Sequence, residues 1–120
     1  MFRKLVVFLS LVFAMAACDS ASFVPRIEIS NPTAYDLVVD LRGDPQDPSL
    51  PLGIAAKRAE SVRNEVLDMG DQWIFTFSYL GEEVGSATIP RGDLQRSEWK
   101  ITIPPEVGTR LEEKGVAPSY

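Results

Sequence analysis

The chain has 120 residues, with 12 Lys and Arg against 17 Asp and Glu, a formal net charge of −5, one Cys and no His. An acidic balance of this kind argues against nucleic acid or anionic lipid headgroups as direct ligands, because both need clustered basic side chains to replace counterions. Without histidine, and with a single cysteine, Ser-His-Asp and Cys-His chemistry and His or Cys metal sites are excluded, so no catalytic centre and no cofactor are expected.

The chain opens with a basic start at Arg3 and Lys4 and an apolar run from Leu5 to Ala14 that only Ser10 interrupts. This run is too short to span a bilayer, which takes about 20 apolar residues, and is built like a secretory leader. Small residues at Ala16 and Ala17 then precede Cys18 and Asp19. The tetrad Met15-Ala16-Ala17-Cys18 resembles the lipobox of bacterial lipoproteins, with Met15 where Leu is usual. The resemblance implies cleavage after residue 17, acylation of the Cys18 thiol and a stable hold on the membrane through two or three acyl chains. It also implies a place in the bacterial cell envelope facing the periplasm. Asp19 resembles the residue that retains such proteins at the inner membrane. A lone Cys in an exported chain is otherwise an unpaired liability, which lipidation removes.

Losing Arg3 and Lys4 with the leader lowers the 12 basic side chains to 10, against 17 acidic ones, and the remaining chain, residues 18–120, is the size of one domain. Residues 18–25 read as the lipidated cysteine and a small-residue tether, and residues 26–104 as the domain. Ile27 and Ile29 alternate with Arg26, Glu28 and Ser30, and Asn31-Pro32-Thr33 marks a turn. Tyr35, Leu37, Val39 and Leu41 repeat the alternation. Two prolines and two aspartates between Arg42 and Ser49 predict a loop. Leu50 to Ile54 makes a weaker strand, and Pro51, which cannot donate to a ladder, places it at a sheet edge. Residues 55–70 fit either a thin helical face or a period of two, and flanking strands favour a strand at about Glu60 to Leu67.

The strongest strand follows, with Trp73, Phe75, Phe77 and Tyr79 on one face. Gly81 and Glu82 predict a turn, Glu83 to Ile89 a hairpin partner, Pro90 to Asp93 a loop, and Trp99, Ile101 and Ile103 a last strand that Pro104 and Pro105 end. Residues 105–120 read as a flexible tail. About seven short strands spaced by turns predict an all-β fold, an immunoglobulin-like antiparallel β-sandwich.

Several residue sets invite a functional reading. Lys57 and Ser61 lack the frame of a Ser-Lys nucleophile. Glu82 and Glu83, adjacent on a strand, point to opposite faces and cannot flank one glycosidic bond. Asp40, Asp44 and Asp47 offer oxygen ligands for calcium without the spacing of a calcium loop, and read as turn formers. Arg-Gly-Asp occurs at Arg42 to Asp44 and at Arg91 to Asp93, in predicted turns. Trp73 and Trp99 offer a stacking platform, but a stripe of this size reads as core. The expectation is therefore a non-enzymatic, lipid-anchored module. Its partners are the membrane, through Cys18, and an envelope protein added as a strand at Leu50 to Ile54; the alternative is a saccharide held by the Arg42 to Ser49 and Pro90 to Asp93 loops.

Overall fold

The computed structural model describes residues 22–120, which form seven strands and two helices. In chain order these are β1 (Phe23–Asn31), β2 (Leu37–Arg42), β3 (Leu50–Ala55), β4 (Ala59–Leu67), β5 (Gln72–Tyr79), β6 (Glu82–Pro90), α1 (Arg91–Arg96), β7 (Lys100–Thr102) and α2 (Pro105–Glu113). The strands make two sheets, one in the order β4-β1-β7 and one in the order β3-β2-β5-β6. Period-two patterning accounts for both: Ile27, Ile29 and Ile101 from the first sheet meet Leu37, Val39, Leu41, Trp73, Phe75 and Phe77 from the second in one buried core. Each such side chain, once fully buried, adds about 1.5–3 kcal/mol.

An all-β sandwich is thus what the chain forms, with the first strand paired to the fourth and seventh and the second strand in the opposite sheet. The pairing departs from the expected antiparallel arrangement at one place: β7 runs parallel to β1, with Glu28, Ile29 and Ser30 opposite Lys100, Ile101 and Thr102. The chain reaches β7 through α1, in the segment expected as a loop. Such a crossover lets it return in the direction of β1.

Two boundaries also shift. Phe23–Pro25, read as tether, belongs to β1, and Phe23 and Val24 pair with Leu67 and Val66. Val24 and Ile27 are both buried although three residues apart, so the alternation changes phase between them; β4 changes phase opposite, where Glu65 takes a positive φ of 52°. Unbroken alternation back from Ile27 would have turned Phe23 inward. The phase change turns it out.

Residues 105–120, expected as a flexible tail, are instead packed. Pro105 sits at the start of α2, where its missing N–H is no loss, and Val107 and Leu111 are buried in the core. Beyond the helix, the Tyr35 hydroxyl donates to the Val116 carbonyl at 2.7 Å, and Ser119 N–H donates to the Ala34 carbonyl at 3.1 Å.

Candidate functional site

The two ends of the sandwich differ in construction. At the end holding the β1-to-β2 turn, Asn31 is buried and its amide nitrogen donates to the carbonyls of Tyr35 and Ala55 at 2.8 and 2.9 Å. Its amide oxygen accepts from the Thr33 N–H at 3.0 Å and the Thr33 hydroxyl at 2.7 Å. The C-terminal segment is fastened over the same end. Ser119 accepts from Asp36 N–H through its hydroxyl at 2.9 Å and from the Lys57 ammonium through its carbonyl. Burial, and after it the nearby Glu112 charge, push the Tyr35 phenol above its ordinary pKa.

At the opposite end the chain enters the domain. The Asp68 N–H donates to the Ser22 carbonyl at 2.9 Å, so the backbone is already fastened one residue before β1. Phe23 and Leu67 stand opposite each other on the outer side of the sheet and are 56% and 39% exposed. Beside them Arg91 grips Asp68 with two nitrogens, the shortest contact being 2.7 Å. Those hydrogen bonds hold the Asp68 carboxyl below its usual pKa, against the opposing effect of partial burial. The same guanidinium lies 5.4 Å from the ring centre of Trp99, whose indole packs on Trp73 at 5.3 Å.

Cys18 and Asp19, the lipidation and sorting residues expected from the sequence, lie outside the described residues. The β3 edge is where it was expected, at the margin of its sheet, but it is occupied. Arg63, facing inward from β4, donates to the carbonyls of Leu52 and Ile54, the latter at 2.9 Å, and so spans the gap between the sheets. Gly53, with φ of 97°, makes room: a Cβ there would stand 3.0 Å from the guanidinium. Two acceptors that an added strand would use are already taken.

The remaining sets do not assemble into sites. Asp44 closes its own turn by accepting from Gln46 N–H at 2.9 Å, and among the described residues no three Cys, Asp or Glu converge on a point where a metal ion would sit. Lys57 is tied to Ser119, away from Ser61 on β4. Glu82 and Glu83 are exposed beside the hairpin turn made by Leu80 and Gly81, both with positive φ. Both Arg-Gly-Asp copies fall at the Ser22 end. There Arg91 is committed to Asp68 and Asp93 to Arg96. Trp73 is fully buried, as its stripe implied, while Trp99 is part-exposed beside a 470 Å³ cleft with Pro25, Arg26, Glu28, Glu98 and Lys100. The sequence reading missed Arg63, Asn31 and the Phe23–Leu67 pair. Even Arg63 had no sequence signal, since the valines of β4, Val62 and Val66, are even-numbered and unbroken alternation from them would turn Arg63 outward.

Compared with known proteins, the chain matches no family model, no curated sequence and no solved structure. Among the described residues no helix is long and apolar enough to cross a membrane.

Proposed function

We propose that this chain is a lipid-anchored protein of the bacterial cell envelope. Acylated Cys18 holds it to a membrane and its sandwich, facing the periplasm, serves as a non-catalytic binding or accessory module for another envelope protein. The observation that carries the reading is the lipobox at Met15-Ala16-Ala17-Cys18, followed within four residues by a backbone already fastened to the domain at Ser22. Residues that would serve only as leader and anchor thus run directly into a folded module.

The surface best suited to a protein partner is the outer face of the β3-β2-β5-β6 sheet. Val38 and Ile54 are exposed there and stand opposite each other, and Ile74, Thr76, Ser86 and Thr88 extend the face, with Asp40 and Arg42 farther along β2. The outer face of the other sheet instead carries Arg26 and Lys100 paired to Glu28. Interfaces are depleted in charge at their centres, which favours the former. Saccharide binding is the second reading, supported by Trp99 at its cleft, where an indole face lies among charged donors and acceptors.

Intact mass of the membrane-extracted protein, beside a Cys18→Ala variant, tests the anchor. The expected result is a chain beginning at Cys18 with diacylglyceryl and acyl increments that the variant lacks. An unmodified mass, or a retained Met1, would overturn it. Photo-crosslinkers placed in cells at Ile54 and at Thr102 test the module. A discrete adduct from Ile54 alone supports a protein partner on the Val38–Ile54 face; equal or absent adducts from both positions reject that face.

A further inference from the structure

We propose that the exposed Phe23–Leu67 pair is the surface through which the sandwich lies against the lipid bilayer, an inference that rests on the acylated Cys18 reading above. The leash is the first reason. Four Cα-to-Cα steps separate Cys18 from Ser22, whose carbonyl is bonded to Asp68, so the anchor and the domain are at most about 14 Å apart. The polar interfacial layer of one leaflet is itself about 5–7 Å deep. An acyl-glyceryl cysteine seated at that layer brings the start of β1 to the membrane surface, and the first two side chains it brings are an aromatic and a leucine.

Local structure is the second reason. Phe23 and Leu67 face out because both strands change phase together at Pro25 and Glu65, and Glu65 accepts a left-handed φ of 52° to do so. Strict alternation would have buried Phe23. The chain instead exposes two large apolar groups side by side at the one place where a bilayer is within reach. Side by side they form a patch and not a scattered pair, and aromatic rings favour the interfacial layer. Leu80, more exposed still at 86%, lies at the other end of β5, about 23 Å along the strand, where no leash brings lipid.

The chemistry of the contact follows from charge. Asp68, next to Leu67, is neutralised by Arg91, and the mature chain is acidic, so the contact draws on apolar insertion and not on anionic headgroups. Zwitterionic phosphatidylcholine is therefore a sufficient partner, and added salt leaves the contact in place.

Cys18 is the only native cysteine and is consumed by lipid, so one new thiol takes one label. Acylated Leu67→Cys and Leu80→Cys proteins, each carrying an environment-sensitive fluorophore, are reconstituted into phosphatidylcholine vesicles with nitroxide-bearing acyl chains. The expected result is a blue shift and loss of most emission at position 67, none at position 80, and partial recovery at 67 when Phe23→Ser is added. Protein that floats with the vesicles while both labels report water overturns the docking surface and leaves the anchor standing. Protein that does not float overturns the anchor, and the docking surface with it.

Discussion

The Asn31 end and the Ser22 end of this sandwich solve opposite problems. At the first, every buried polar group is tied inward: Asn31 uses both donors and its acceptor, and the C-terminal segment closes over Tyr35. At the second, polar groups pair in partial contact with water and two apolar side chains remain outside. The same core supports both, so the difference lies in what fastens each end. One is held by its own C-terminal segment. The other is held by the Asp68–Arg91 pair and carries Phe23 and Leu67 on its outer face.

If that contrast is sound, truncating side chains at the two ends will have very different effects on the isolated domain. Asn31→Ala takes the Asn31 partner from the Ala55 carbonyl and the Thr33 N–H in a buried site and leaves the Tyr35 carbonyl with the Thr33 hydroxyl alone, and each orphaned group costs about 1–3 kcal/mol. A loss of about 3 kcal/mol or more in urea unfolding is the expected outcome. Leu67→Ser, at the other end, should move stability by less than about 0.5 kcal/mol, as exposed positions generally do. Equal losses would erase the comparison.

The closing strap has a smaller and pH-dependent signature. Tyr35→Phe removes the hydroxyl that donates to the Val116 carbonyl, a loss of about 1 kcal/mol at neutral pH. Because the phenol's pKa is raised in the folded protein, the native state holds that proton more tightly than the unfolded chain does. Its contribution is therefore complete below about pH 10, the unfolded value, and disappears as pH rises through the higher folded value. Urea midpoints of the two proteins should differ at pH 7 and converge on the alkaline side. A constant difference would mean that the hydroxyl acts through packing and not through its proton.

Alternation made β1, β2 and β5 legible in the sequence because each has one wet face and one dry one. What alternation does not carry is which strands become neighbours, and so the sheet order and the parallel β1–β7 pair went unread. The helices failed for different reasons. In α2 the Pro104-Pro105 pair reads as a stop, although a proline at the first helical position is compatible with a start. Both helices end in the same motif, with Trp99 N–H donating to the Leu94 carbonyl and Val116 N–H to that of Leu111. In α2 the left-handed position falls on Gly115, the residue expected there, whereas in α1 it falls on Glu98 at φ of 58°, which gives no sequence signal. The candidate anchor at Cys18 could be read from its neighbours alone. The Phe23–Leu67 surface could not, because a phase change between two strands is a property of their pairing.

A second pH-dependent effect belongs to the open end and has the opposite sense. Asp68 is held below its usual pKa by the Arg91 hydrogen bonds, so the unfolded chain takes up a proton before the native state does. Its contribution is complete above the unfolded value of about 3.9 and is lost as pH falls through the lower folded value. Arg91 is about one-third exposed, and solvent screening limits the pair to about 1 kcal/mol at pH 7. Asp68→Asn keeps an acceptor for the Gly70 N–H, which donates to this side chain at 2.9 Å, and removes the charge together with the oxygen that accepts from Arg91 at 2.7 Å. Unfolding midpoints of the two proteins should differ modestly at pH 7 and merge as pH falls through the lowered folded value of Asp68. A domain whose strap fails in alkali and whose entry clasp fails in acid has two separately addressable ends. Melting curves that shift together in both directions would show instead that the ends unfold as one.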